Sequence, residues 1–381
     1  MSASASAPVH RAATPDSPLA LIDASAITHN LNRLRQLLAR PAPQTSPLIW
    51  AVAKADAYGH TLELAYPGLS GADGLAVLTL AEARHCRSLG WTGPILIMSA
   101  QYTRAALEDP ALYPLHLVMD NQEQLVALQA LQAPCTPHVW LRYRGRLNHT
   151  GLTQADYRDA YAALHICVRQ GRLSGLGHLQ HYAHAEQASS LCEERQAFQA
   201  LTADLPGPVC TDNSAALLSD PVGAANTAWV RSGIALYGIS PLAGLTGHDL
   251  GLRPAMRLQA PLYDIHTLQA GQPLGYGGTF LASRDMRIGM VRCGYAHGYP
   301  RGLSGGGMVM ATERPAPIVG RVSMDTLTID LSQHPDITVG AMVSLWGVPG
   351  LSIEAVATQA NTIPAQLCTA LTARVPRHAP D

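Results

Sequence analysis

The sequence predicts an α/β protein, a TIM-like (β/α)8 barrel followed by a mostly β C-terminal domain, on three observations. Eight short apolar or β-branched runs recur through the first two-thirds of the 381 residues, segments with helical apolar spacing separate them, and the texture changes near residue 242. The runs lie at 48–53, 74–78, 94–98, 115–119, 138–143, 175–181, 209–212 and 229–236. Amphipathic spacing marks 80–89, 121–132, 154–170 and 186–205, so parallel strands joined by crossover helices are expected. Beyond 242, alternating runs punctuated by Gly and Pro, at 274–281, 287–293, 316–324 and 343–346, read as strands of a second domain. The expected divisions are a disordered leader over 1–18, the barrel over 19–241 and the β domain over 242–381.

Composition narrows the function. A net charge of −1 gives no electrostatic reason to bind nucleic acid or an anionic membrane, and no apolar run reaches spanning length. The partner expected is a small molecule. Seven cysteines, scattered and without a C-x-x-C pair, argue against a disulfide framework or a structural zinc site, which favours a reducing, cytoplasmic setting. The basic residues comprise 25 arginines and a single lysine, Lys54. A Schiff base requires an amine that can lose its proton, and a guanidinium cannot, so a lone lysine is a candidate for chemistry. Composition by itself leaves chance drift between Lys and Arg equally open.

Lys54 follows the strand expected at 48–53, which places it at the C-terminal mouth of a barrel, where such folds build their sites. The small, turn-prone Ala55-Asp56-Ala57-Tyr58-Gly59-His60 comes directly after it. Anion sites in barrels form at the loops after strands seven and eight. Strand seven here ends in Asp212-Asn213-Ser214, and strand eight carries Arg231-Ser232-Gly233-Ile234. Either loop taken alone reads as ordinary helix N-capping by Asn213 or Ser214.

Five segments then appear in the order and spacing of one family: the Lys54 run, RSGIALYG at 231–238, GYAHGYPR at 294–301, GRVSMD at 320–325 and RVPR at 374–377. Together they resemble the alanine racemases, pyridoxal 5'-phosphate (PLP) enzymes of fold type III, from about Leu21 to Arg377. The resemblance implies a PLP-dependent racemase that interconverts L- and D-alanine for D-alanine biosynthesis, working as a head-to-tail homodimer. By the same resemblance Lys54 carries PLP and Tyr295 is the opposing acid/base group, entering from the other subunit. Tyr58, Asn213, Ser214, Gly233 and Ile234 are expected around the phosphate, His181 on the pyridine ring, Arg231 at the ring nitrogen, and the Met324 backbone N–H at the substrate carboxylate. Two faces of a planar carbanion need two proton-transfer groups, which suits the Lys54/Tyr295 pair.

The sequence departs from the family at the fifth strand. Where the relatives read K-x-D-T-G-M-x-R-L-G, this chain reads Arg142-Tyr143-Arg144-Gly145-Arg146-Leu147-Asn148-His149-Thr150-Gly151. His149 falls at the arginine expected to bind substrate carboxylate, and Arg142 at the lysine. A histidine is shorter and cannot make a two-pronged carboxylate contact. His297 also replaces the usual aspartate of GYADGYPR, and Pro364-Ala365-Gln366-Leu367-Cys368 replaces Y-E-L-L-C. These changes leave open a racemase or epimerase for another amino acid, or a PLP-binding homologue with weak racemase activity. A PLP lyase would need a metal; Cys293 and His297 do not make a convincing set, and no metal is expected.

Overall fold

The computed structural model describes residues 16–99, 101–132 and 135–380, so most of the expected leader lies outside the described residues. Strand β1 (Leu19–Ile22) and a helix over Ala24–Leu38 come first. A closed barrel of eight parallel strands follows: β2 (Leu48–Val52), β3 (Gly74–Val77), β4 (Ile95–Ile97), β5 (Leu115–Met119), β6 (His138–Tyr143), β7 (Gly175–Gln180), β8 (Val209–Asn213) and β9 (Trp229–Ser232). Pairing of β2 with β9, Trp50 opposite Arg231, closes the ring. The expected eighth run is shorter as a strand, because Ile234–Tyr237 turns into a 3-10 helix that ends on Gly238 at φ 80°.

Local chemistry fixes the outer helices. Thr79 and Glu82 form a reciprocal capping box on Leu80–Ser88, Asn121 caps Gln122–Gln129, and Thr153 caps Gln154–Arg169. Sequence analysis missed the first helix, Ala24–Leu38, although Asp23 caps it by accepting from the Ser25 and Ala26 N–H groups. Its apolar positions, Ile27, Leu31, Leu34 and Leu38, have helical spacing and are buried.

Inside the barrel, Trp50, Val52, Ala76, Leu96, Val118, Trp140, Leu179 and Cys210 form the packed core. Small residues make room for the large ones: a Cβ on Gly74 would lie 2.2 Å from the Trp50 ring. Beside the tryptophans two imidazoles stack, His116 on His138 with centroids 4.7 Å apart, and Trp140 Nε1 donates to His116 Nδ1 at 3.0 Å. Burial pushes the His116 pKa down to about 3, reinforced by His138, and burial pushes His138 down to about 4.

The second unit is mostly β. Its strands are β10 (Met256–Leu268), β11 (Pro273–Leu274), β12 (Phe280–Leu281), β13 (Met286–Val291), β14 (Met308–Ala311), β15 (Arg314–Val319), β16 (Leu327–Asp330), β17 (Met342–Trp346) and β18 (Arg377–His378). One eight-stranded sheet runs β13-β16-β15-β14-β17-β10-β1-β18, and the long β10 pairs with β17 through its first half and with β13 through its second. The alternating run at 316–324 is only partly strand, since Gly320 at φ 69° ends it. By contacts, Leu21–Met256 with Pro364–Thr369 forms one compact unit, and Arg257–Ile363 with Ala370–His378 and the segment ending at Ala20 forms the other. Among the described residues no helix is long and apolar enough to cross a membrane.

The stacked imidazoles should make the barrel acid-labile. Their folded pKa values lie below the unfolded value of about 6.5, so the unfolded chain binds more protons as pH falls. Their contribution is full above about pH 6.5 and is lost on the way down toward pH 3, with His116 alone costing on the order of 3 kcal/mol by pH 4. Thermal midpoints measured from pH 7 to pH 4 should fall steeply. The fall should be shallower in His116→Asn, which keeps an acceptor for Trp140 but does not titrate.

Candidate active site

The mouth of the barrel begins at Lys54, directly after the buried strand β2. The next four residues are not an ordinary turn. Ala55, Asp56, Ala57 and Tyr58 all take left-handed helical angles, φ 53–55°, and Gly59 continues at φ 76°. Left-handed L-residues cost about 1–2 kcal/mol each, so the segment persists only because its surroundings hold it. Ala55 N–H donates to Glu82 Oε1 at 3.0 Å, and Leu62 N–H to Asp56 Oδ1 at 2.8 Å. The other oxygen of Glu82 accepts from the Leu78 and Thr79 N–H groups, so one carboxylate caps a helix and pins the turn. Tyr58 and His60 both pack on Tyr237, at 5.0 and 4.6 Å, and Tyr237 Oη donates to the Val52 carbonyl.

The last three strands supply the adjoining side. Arg231 on β9 is 5% exposed, and its guanidinium donates to the carbonyls of Cys210, Gln180 and Thr211 at 2.8–2.9 Å, with His181 Nδ1 at 3.4 Å. His181 sits just past β7, and burial, then Arg231, Arg142 and Lys54, push its pKa down to about 3, which keeps the ring neutral at physiological pH. After β8, Asn213 caps the short helix Ser214–Ser219 by accepting from Ala216 N–H. Ser214 Oγ accepts from the Gly233 and Ala235 N–H groups at 3.0 and 3.4 Å. A Cβ on Gly233 would lie 2.3 Å from Tyr58 Oη, so glycine is what lets the phenol reach this corner. Burial raises the Tyr58 pKa to about 12, which leaves it a hydrogen-bond donor.

One cavity of about 580 Å³ gathers Lys54, Tyr58, His149, His181, Asn213, Ser214, Arg231, Gly233 and Ile234, every barrel residue singled out from sequence. Tyr295 and Met324 belong to the β unit, where they are neighbours. The Tyr295 and Ala296 N–H groups donate to the Ser323 and Met324 carbonyls at 3.1 and 3.0 Å, and both side chains are exposed, 42% and 52%. His297, at the family's aspartate position, is buried and accepts from Gly294 N–H through Nδ1, so it closes the turn that carries Tyr295. Sequence reasoning missed Glu82 and Asp56, whose ties hold the left-handed turn. The S/T-x-x-E capping pattern at Thr79 signals the helix start but not this second use.

These features fit a phosphorylated aldehyde. The mouth offers an amine for its carbonyl carbon, a corner with a neutral phenol and hydroxyl and no Cβ for the phosphate, and a neutral imidazole braced by arginine. Arg142 Nε is buried in the same site without an internal partner. A barrel of this kind defines the class of PLP-binding barrel enzymes. The alanine racemase N-terminal domain matches residues 22–241 and the alanine racemase C-terminal domain residues 255–379. An alanine racemase from Bordetella avium is 41% identical over 363 residues, 94% of this chain and 97% of that protein. A biosynthetic alanine racemase structure from Pseudomonas aeruginosa superposes with a TM-score of 0.87 at 36% identity, covering 96% of this chain and all of the other. A third, from Bartonella henselae with covalently bound pyridoxal phosphate, gives 0.82 at 26%, covering 96% of this chain and 100% of that one. The chain belongs to the alanine racemase family.

Gly233→Ala should displace Tyr58 and weaken PLP binding at least tenfold while the barrel stays folded. Cofactor titration against circular dichroism measures both.

Proposed function

We propose that this protein interconverts L- and D-alanine, and that Lys54 and Tyr295 are the two proton-transfer groups. The observation that carries the reading is the sole lysine at a barrel mouth whose lining matches a phosphorylated aldehyde, in a chain of the alanine racemase family. When bound through Lys54, PLP supplies the electron sink that makes loss of the substrate Cα proton feasible.

The chain's own residues do the rest. On one face of Cα Lys54 Nζ accepts or donates a proton, and on the other Tyr295 Oη does the converse with a proton of its own, the two exchanging roles with the direction of reaction. Tyr58, Ser214, Gly233, Ile234 and Asn213 anchor the phosphate end, and neutral His181 covers the ring. Arg231, which cannot give up its proton, disfavours a second positive charge on the ring nitrogen and so directs the reaction to proton exchange rather than transamination. The Met324 backbone N–H orients the substrate carboxylate.

Tyr295 and Met324 stand side by side and exposed on the β unit, which supports a head-to-tail homodimer in which each subunit's Tyr295 completes the partner's barrel. The reading carries with it a role in D-alanine supply. It also favours a cytoplasmic setting, in keeping with seven unpaired cysteines. A racemase for a different amino acid is the second reading, favoured by His149 and Arg142 on the departing segment.

Incubation with each of the nineteen chiral L-amino acids in deuterated water tests both readings. Alanine should invert and gain deuterium at Cα; inversion of another amino acid alone moves the assignment to the second reading, and no exchange with any refutes both. Tyr295→Phe should keep the cofactor's visible absorbance and lose turnover by about 10²-fold or more. Lys54→Ala should lose that absorbance, and borohydride reduction of the wild type should place the pyridoxyl group on the Lys54 peptide.

A further inference from the structure

The cavity carries more positive charge than a phosphate corner accounts for. Lys54, Arg142 and Arg231 line it with two histidines, and among the described residues no aspartate or glutamate does. Arg231 is already engaged by three backbone carbonyls, and His181 is neutral. Arg142 is different. It comes from β6, its Nε is sealed from solvent without a hydrogen-bond partner, and burial and the neighbouring Arg231 pull its pKa down. Asp120, at the end of β5, opposes that pull without forming an ion pair, and its own Oδ2 is buried and unpartnered. A buried guanidinium N–H with no acceptor costs more than a neutral one, so the arrangement calls for an anion inside the cavity.

Placement around the ring says which anion. The phosphate corner uses Tyr58 after β2, Ser214 after β8 and Gly233 after β9, three adjacent strands of the closed barrel. β6 lies outside that corner, four strands from β2, three from β9 and two from β8. His149, the residue expected at the carboxylate from sequence, stands on the loop beyond β6 and is exposed. The geometry points to Arg142, not His149, as the residue that takes the carboxylate of a small α-amino acid here, an assignment that rests on the racemase reading. A guanidinium gives the permanent charge and two parallel donors that an imidazole lacks. Apolar Met98 and Val118 line the same cavity, and among the described residues no further unengaged arginine does, so a second carboxylate on the substrate meets no guanidinium there.

Propionate, a carboxylate without the amine, is the probe. It is titrated into the PLP-loaded protein by calorimetry and by the cofactor's visible absorbance, beside KM and kcat for L-alanine. Arg142→Met should weaken propionate at least tenfold and raise KM with the cofactor retained. Arg142→Lys, which keeps the charge and guards against misfolding of the first variant, should weaken it about threefold to tenfold. Arg144→Gln, on the same segment but bonded to the Gly151 carbonyl, should stay within twofold. Unchanged propionate affinity in both Arg142 variants overturns the assignment, as does loss in His149→Gln with Arg142→Met unaffected. Release of PLP itself from Arg142→Lys assigns the guanidinium to the cofactor and also overturns it. A wild type that holds no PLP fails the racemase reading instead, and is told apart by its missing absorbance.

Discussion

The left-handed turn over Ala55–Tyr58 is the constraint on which the site depends. Four L-residues in that region store on the order of 4–8 kcal/mol, comparable to the whole net stability of an ordinary domain. The turn persists because Glu82 holds its first N–H, Asp56 ties it to the Leu62 N–H that opens the next helix, and Tyr58 and His60 pack on Tyr237. Its effect is to coil the chain tightly directly after Lys54. The amine therefore projects from the end of a rigid strand, while the phenol four residues later returns to the Gly233 corner.

The rest of the mouth is held by neutral and backbone groups. Arg231 is fixed by carbonyls of β7 and β8 and not by a carboxylate, so its full charge remains directed at the site. That field, with burial, keeps His181 unprotonated, and Arg142 adds a second fixed cation. The cavity is thus electropositive with only one titratable amine in it, a setting matched to a ligand with two anionic ends.

Much of this was legible in the sequence. The eight strands were visible because most are short runs with a buried, largely apolar centre, and the barrel residues of the site sit at or just beyond strand ends, where the fold puts chemistry. Lys54 stood out through composition alone. What could not be read was conformation without a compositional mark. Ala55-Asp56-Ala57-Tyr58 has the propensity of a right-handed turn, and the contacts that invert it come from Glu82, a residue whose local pattern is fully explained by helix capping. The long β10 escaped notice because its alternation is broken where it bends from one partner strand to the next. Tyr295 and Met324 were recognised by motif; their pairing on one exposed surface is a tertiary fact that no spacing encodes.

The handedness of the backbone beyond Lys54 has a consequence for protein chemistry. A residue of inverted chirality prefers the angles that Ala55 is forced to adopt, and Ala55 is exposed, so its methyl group is free to change sides. A semisynthetic chain with the mirror-image alanine there would gain about 1–2 kcal/mol without altering one functional group of the mouth.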